Sequence, residues 1–274
     1  MRLSLISSAV VTLLAAASPA FAQTSVYVEE LTWVEVRDAI KAGKTTVILP
    51  TGGTEQNGPH MVLGKENIAV HYAAGEIARR LGNALVAPTL AFVPEGNADP
   101  PSGALRYPGG ITLPEDMFIQ VLLWAGRSFK VNGFKNVVFI GNSGGNQAGL
   151  KAAAEQLNKE WAGTDVRTHF VNDYYMATTA GGPFEKWVIE QGVKKEEIGT
   201  HAGVRDTSTL MAIEATYFKR GQLIRWDKLA KGGGFEGSGV SGNPTFASVE
   251  FGKKGLEFKV NAAVQQIRSL TERK

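Results

Sequence analysis

The sequence predicts an α/β domain built on a mostly parallel central sheet, and three observations carry that reading. Short β-like runs alternate with helical stretches along most of the chain, the order expected of parallel βαβ units. The clearest strand, Asn136 to Gly141, is apolar without a break from Val137 to Ile140, as a strand covered on both faces should be. The loops after two of the strands are rich in glycine and polar groups, as a ligand crevice requires.

Each element has its own signal. Leu31 to Ala42 reads as an amphipathic helix closed by Gly43. Thr46 to Pro50 is an apolar strand, followed by a Gly-rich loop from Thr51 to Gly64. Asn67 to Leu81 has helical spacing and stops at Gly82, and Ala84 to Ala87 reads as the next strand. Pro94 to Gly110, rich in proline and glycine, is an irregular surface loop. Leu113 to Val131 is helical, with Pro114 suited to the first turn. After the strand at Asn136, Gly145 to Trp161 is helical and Val166 to Val171 is strand-like. The Gly-rich stretch Gly232 to Gly242 is a loop within the domain, since a helix from Leu256 to Leu270 still follows it. Trp124, Trp161 and Trp187 fall in helical patterns and are expected in the core.

Composition bounds the rest. Arg2, the apolar run Leu3 to Ala17 and Ala20-Phe21-Ala22 form a secretory leader over residues 1–22, too short to span a bilayer. The expected product is a periplasmic or secreted chain over 23–274, a single domain with no membrane attachment after cleavage. The 274-residue chain contains no cysteine, which excludes disulfides, thiolate catalysis and cysteine metal ligands. Its net charge of +3 is scattered among acids, so no basic stripe points to nucleic acid.

In open parallel sheets, ligands bind beyond the carboxyl ends of the strands, which selects the loops after Pro50 and Gly141. The first places Glu55, Asn57, His60 and Glu66 within twelve residues, a donor set suited either to a divalent ion or to capping the next helix. The second carries Asn142, Ser143 and Asn146, either a tight strand-to-helix turn or a polar cluster aimed into the crevice. A third segment puts His201 and Asp206 just ahead of an apolar helix, where Asp206 or Thr207 is also a candidate N-cap. Tyr174 and Tyr175, after Asp173, are placed to line the crevice. Gly141-Asn142-Ser143-Gly144-Gly145 also fits the G-x-S-x-G nucleophile elbow, with Asp173 and His201 following in serine-hydrolase order.

Together these segments resemble the creatininase family. That family's G-x-x-E-Q-H-G-P-H-L-P-L-G-x-D is followed closely from Gly52 to Glu66. Its N-G-H-G-G-N is similar to Gly141-Asn142-Ser143-Gly144-Gly145-Asn146, and its H-A-G-x-x-E-T-S to His201 through Ser208. The resemblance implies a three-layer α/β/α fold holding two divalent ions, usually zinc or manganese, whose bridging hydroxide attacks a small cyclic amide or another non-peptide C–N bond. It implies metal positions at Glu55, Asn57, Glu66, Ser143 and Asp206. Glu55 and His201 take catalytic roles, and His60, Asn142, Ser143, Asn146 and Tyr174 surround a small-molecule substrate. A homo-oligomer, commonly a hexamer, is implied as well. The chain departs from the pattern at Asn57 and Ser143, which replace histidines, at Glu66, which replaces aspartate, and at Asp206, which replaces glutamate. An all-oxygen donor set favours a harder ion such as manganese, magnesium or calcium. Two alternatives stay open: a catalytically inactive binding protein on this fold, and a serine hydrolase using Ser143.

Overall fold

The computed structural model describes residues 25–218, 222–229 and 237–272. The secretory leader expected over 1–22, and the first part of the Gly232 to Gly242 loop, lie outside them.

Four strands form one parallel sheet: β1 Thr46–Thr51, β2 Ala84–Val86, β3 Asn136–Gly141 and β4 Arg167–Phe170, in the order β2-β1-β3-β4. The chain runs outward from β1 to β2, then crosses back to place β3 on the other side of β1. That reversal makes the β1/β3 boundary the switch point where a crevice opens. Register pairs Thr51 with Gly141, so the two loops singled out by sequence leave the sheet side by side.

Side-chain alternation divides the core into two layers. Ile48, Val138 and Ile140 face α2 (Lys65–Leu81) and α9 (Val249–Thr271), packing on Val70, Ala74, Ile77, Val260 and Val264. Val47, Leu49, Val137 and Phe139 face α3 (Glu115–Asn132) and α4 (Gln147–Glu160), packing on Phe118, Leu122, Leu150 and Leu157. Both faces are covered, which explains why β3 carries no polar alternation. Full burial of a side chain such as Phe139 stabilises by roughly 1.5–3 kcal/mol. The first helix, α1 (Trp33–Lys41), begins with a capping box in which Thr32 accepts from the Glu35 amide and Glu35 accepts from the Thr32 amide.

Some expectations need correction. Pro114 precedes α3 rather than sitting in its first turn, because its ψ of 144° is extended. Trp124 is 64% exposed on the outer face of α3, with the Arg127 guanidinium 4.9 Å from its ring centroid, whereas Trp161 is buried as expected. Between β4 and α9 the described residues form four α-helices: α5 (Asp173–Met176), α6 (Pro183–Glu190), α7 (Lys195–Ile198) and α8 (Val204–Ile213). Three are only one or two turns long, too short for hydrophobic periodicity to register. The fourth, α8, packs so closely on α9 that a Cβ at Gly252 would lie 1.8 Å from the Ser208 carbonyl oxygen. This approach carries His201 and Asp206 back over the crevice. Among the described residues, no helix is long and apolar enough to cross a membrane.

Candidate active site

The site is anchored where β1 and β3 end. Asn146 is fully buried, and its Nδ2 donates to Thr51 Oγ1 at 2.9 Å and to the Gly52 carbonyl at 2.8 Å, joining the two loops. Just beyond, Gly53 adopts φ 152°, and a Cβ there would lie 2.1 Å from Glu95 Oε1. Only glycine leaves room for that carboxyl group, which arrives from the long Pro94 to Gly110 loop.

Four acidic side chains converge here, Glu55, Glu66, Glu95 and Asp206, all buried. In their midst stands Lys65, 2% exposed, at the first position of α2. Its ammonium donates to Glu66 Oε1 and lies 3.5 Å from Asp206 Oδ1. A cation at a helix N-terminus is disfavoured by the helix dipole, so the carboxylates must supply its stabilisation. Burial works against the charged amine, but Asp206, Glu66 and Glu55 outweigh it and raise the Lys65 pKa.

Asp206, in the first turn of α8, is the firmest anion of the group. Burial alone would raise its pKa, yet Arg205, Lys65 and His201 hold it well below the usual carboxylate range. It accepts from Arg205 Nε at 3.1 Å and from the Ala202 amide at 2.8 Å. Ala202 has φ 54°, a left-handed conformation that costs a non-glycine residue about 1–2 kcal/mol and is fixed here by that hydrogen bond.

The other two acids behave differently. Burial pushes Glu55 up to about 9; Lys65 pulls it down, while Glu66, Glu95 and Asp206 push it further up. Burial likewise lifts Glu95 to about 7, with Glu66 adding to the rise and its neighbours Glu55 and Ser143 opposing it. Glu95 Oε1 is buried without a hydrogen-bond partner.

Asn142 connects the acids to a second lysine. Its Nδ2 donates to Glu66, while its Oδ1 accepts from Tyr174 Oη at 2.7 Å and from Lys259 Nζ at 2.6 Å. Lys259 comes from α9, sits 4.5 Å from the Tyr174 ring centroid, and is lowered by burial to about 7. A cavity of about 20 Å³, lined by Lys65, Asn142, Tyr175, Arg205, Asp206 and Lys259, has room for one water-sized group. A larger groove of about 620 Å³ lies against α1 beside Trp33, Val36 and Ile40, and no carboxylate lines it.

The residues anticipated from sequence divide accordingly. Glu55, Glu66, Asp206, Asn142 and Ser143 come together. His201 stands at the edge, its Nε2 2.9 Å from both the Gln56 carbonyl oxygen and Gln56 Nε2. His60 is fully buried behind Asp206, 3.0 Å from Thr207 Oγ1, and lowered to about 4, chiefly by burial and against the pull of Asp206. Asn57 is also interior, its Nδ2 donating to the Glu55 carbonyl at 3.0 Å, so it braces its own loop. Asn146 and Tyr174 are fully buried, the first bonded to Thr51 and Gly52 and the second to Asn142. The serine-hydrolase arrangement is not assembled. His201 faces Gln56, Asp173 is exposed with its amide on Gln266, and Ser143 lies beside Glu95. Sequence reasoning missed Lys65, Glu95, Arg205 and Lys259. For Lys65 the signal was its place beside Glu66 within the motif; for Lys259 there was none.

These residues do not fit a divalent ion. The two nitrogen-ligand positions hold Asn57 and Ser143, neither of which carries an imidazole; Asn57 Nδ2 donates to backbone carbonyls, and its Oδ1 is buried without a hydrogen-bond partner. Lys65 and Arg205 already take up Glu66 and Asp206. Among the described residues, no group of three or more histidine, aspartate or glutamate side chains is arranged to hold a metal.

Comparison with known proteins places the architecture. The Creatininase family pattern, described as creatinine amidohydrolase, matches residues 29–267. The chain is 23% identical to 3-dehydro-scyllo-inosose hydrolase of Thermotoga maritima, covering 91% of this chain and 85% of that protein. It is 26% identical to mycofactocin precursor peptide peptidase of Mycolicibacterium smegmatis, with 81% and 84% covered. Creatinine amidohydrolase of Pseudomonas putida is 26% identical, with 69% and 72% covered. A manganese creatininase structure superposes with a TM-score of 0.70 at 23% identity, over 90% of this chain and 99% of that one. A mutant creatininase in a Zn-Zn form superposes at 0.66, also at 23% identity, over 90% and 98%.

Proposed function

Because the chain belongs to the creatininase family of amidohydrolases, we propose that it hydrolyses a C–N bond of a small-molecule substrate, such as a cyclic amide, in the crevice above β1 and β3. One observation carries this reading: Glu55 and Glu95 are buried side by side beyond the carboxyl end of β1, and burial raises both carboxyl groups above their ordinary range. Two adjacent carboxyl groups that share protons near neutrality are suited to the acid and base roles of one reaction. At neutral pH the Glu95 carboxylate takes a proton from a water molecule as it attacks the amide carbon. Glu55 keeps its proton in the same pH range and delivers it to the departing nitrogen. Lys65, fixed among the acids, offsets the negative charge that develops on the substrate oxygen.

The test is hydrolysis of creatinine and a panel of small lactams by the purified chain, with and without chelator. Turnover that persists in chelator and is lost in both Glu55→Gln and Glu95→Gln supports the reading; wild-type rates in either variant overturn it. A second reading, a binding protein without turnover, draws support from Lys65, which neutralises the cluster. It predicts saturable ligand binding in the crevice and no product. We also propose export of the mature chain, on the strength of the apolar leader and the Ala20-Phe21-Ala22 site.

A further inference from the structure

We propose that the Lys65 ammonium is a built-in cation that occupies the place of a divalent ion in this carboxylate cluster, so that the folded protein excludes metal as long as Lys65 is present. The inference concerns the cation of the cluster and stands whether or not the crevice turns over a substrate.

Three independent features point the same way. The first is position: Lys65 Nζ donates to Glu66 and stands 3.5 Å from Asp206 Oδ1, joining acids from two segments far apart in sequence. A divalent ion bound there would need the same oxygens on the same line of approach. The second is charge. Lys65 and Arg205 set two positive charges against the two acids they contact, Glu66 and Asp206. A divalent ion entering this group would displace a buried ammonium from the two carboxylates it contacts, and an unpaired buried charge is strongly destabilising. The third is donor chemistry. Asn57 and Ser143 offer no imidazole nitrogen, and Asn57 Nδ2 is turned onto the carbonyls of Glu55, Val62 and Leu63. The missing imidazoles and the internal ammonium are separate features with one consequence.

Lys65 is therefore more than a partner in an ion pair. Its removal leaves Glu55, Glu66 and Asp206 in a buried cage lacking a central cation, and oxygen-rich cages of that kind take hard divalent ions. Manganese is the probe of choice, because oxygen donors suit it and its free form is counted directly by electron paramagnetic resonance.

The experiment titrates the mature chain with Mn²⁺ as wild type and as the Lys65→Ala, Lys65→Gln and Lys65→Arg variants, with metal content of the purified proteins measured in parallel. The expected result is no stoichiometric manganese in wild type or Lys65→Arg, and one equivalent bound by Lys65→Ala, at least about tenfold tighter than wild type. Its melting temperature should then rise with added Mn²⁺, because binding to the folded state alone stabilises it. Where Lys65→Ala does not fold without metal, Lys65→Gln, which keeps a hydrogen-bond donor in the cage, decides by the same titration. Stoichiometric, chelator-removable metal in wild type overturns the proposal. So does a folded Lys65→Ala or Lys65→Gln protein that binds manganese no better than wild type. Neither result depends on activity, so a failure here is distinct from a failure of the hydrolase reading.

Discussion

Lys65 Nζ stands 3.5 Å from Asp206 Oδ1, a contact that ties the first turn of α2 to the first turn of α8 across the mouth of the sheet. Both groups are buried, and Asp206 also receives Arg205 Nε and the Ala202 amide. Breaking such a pair from one side leaves charge without compensation. Asp206→Asn should therefore destabilise the fold by about 3–5 kcal/mol. Urea unfolding would measure it, and a loss below about 1 kcal/mol, the range of an exposed pair, would contradict the assignment.

Glu95 gives a pH signature of definite sign. Its folded-state pKa, about 7, lies above the ordinary value of 4.5, so its contribution to stability is fully present below pH 4.5 and is lost as pH rises through about 7. The stability difference between wild type and Glu95→Gln should change across that window, with wild type losing ground as pH rises. His60 acts in the opposite sense. Lowered from 6.5 to about 4, its contribution is present above pH 6.5 and is lost as pH falls through about 4. Chemical denaturation at a series of pH values separates the two, and an Glu95→Gln curve parallel to wild type would exclude the buried carboxyl as its source.

Ser143 sits beside Glu95, while His201 is engaged by Gln56 and Asp173 is exposed, so the triad that would activate it is not assembled. The Ser143→Ala variant should keep activity within about tenfold of wild type, and a fluorophosphonate should leave the protein unlabelled. Labelling at Ser143 would restore the serine-hydrolase reading.

Asn146 joins the ends of β1 and β3 through three donated contacts to Thr51 and Gly52. Asn146→Ala leaves those buried acceptors unsatisfied and should cost about 1–3 kcal/mol, with crevice activity falling as the loops separate. A thermal melt unchanged from wild type would assign the asparagine to the substrate instead.

Export should remove residues 1–22 and leave Gln23 at the amino terminus. Intact mass of protein recovered from the periplasm or medium tests this directly, and a retained Met1 in that fraction would refute it.

The layers of this protein were legible in its sequence because they depend on local hydrophobic pattern. Val137 to Ile140 reads as a doubly covered strand from composition alone, and β3 runs over the residues expected, Asn136–Gly141. The two loops that build the crevice were legible for the same reason, since parallel strands place their carboxyl ends together. Tertiary structure alone decided what the crevice contains. His60 and Asn57 belong to the same motif as Glu55, yet their side chains turn into the interior while that of Glu55 joins the acids. Glu95 reaches the site only because the backbone at Gly53 leaves a space for it. Among the lysines of α9, Lys259 is the one packed against Asn142 and Tyr174. Sequence also shows Lys65 beside Glu66, but not that its ammonium lies against Asp206, 141 residues further along. Charge is written in the residue type, whereas desolvation and pairing arise only when distant segments exclude water from one another, and those two effects set the chemistry of this site.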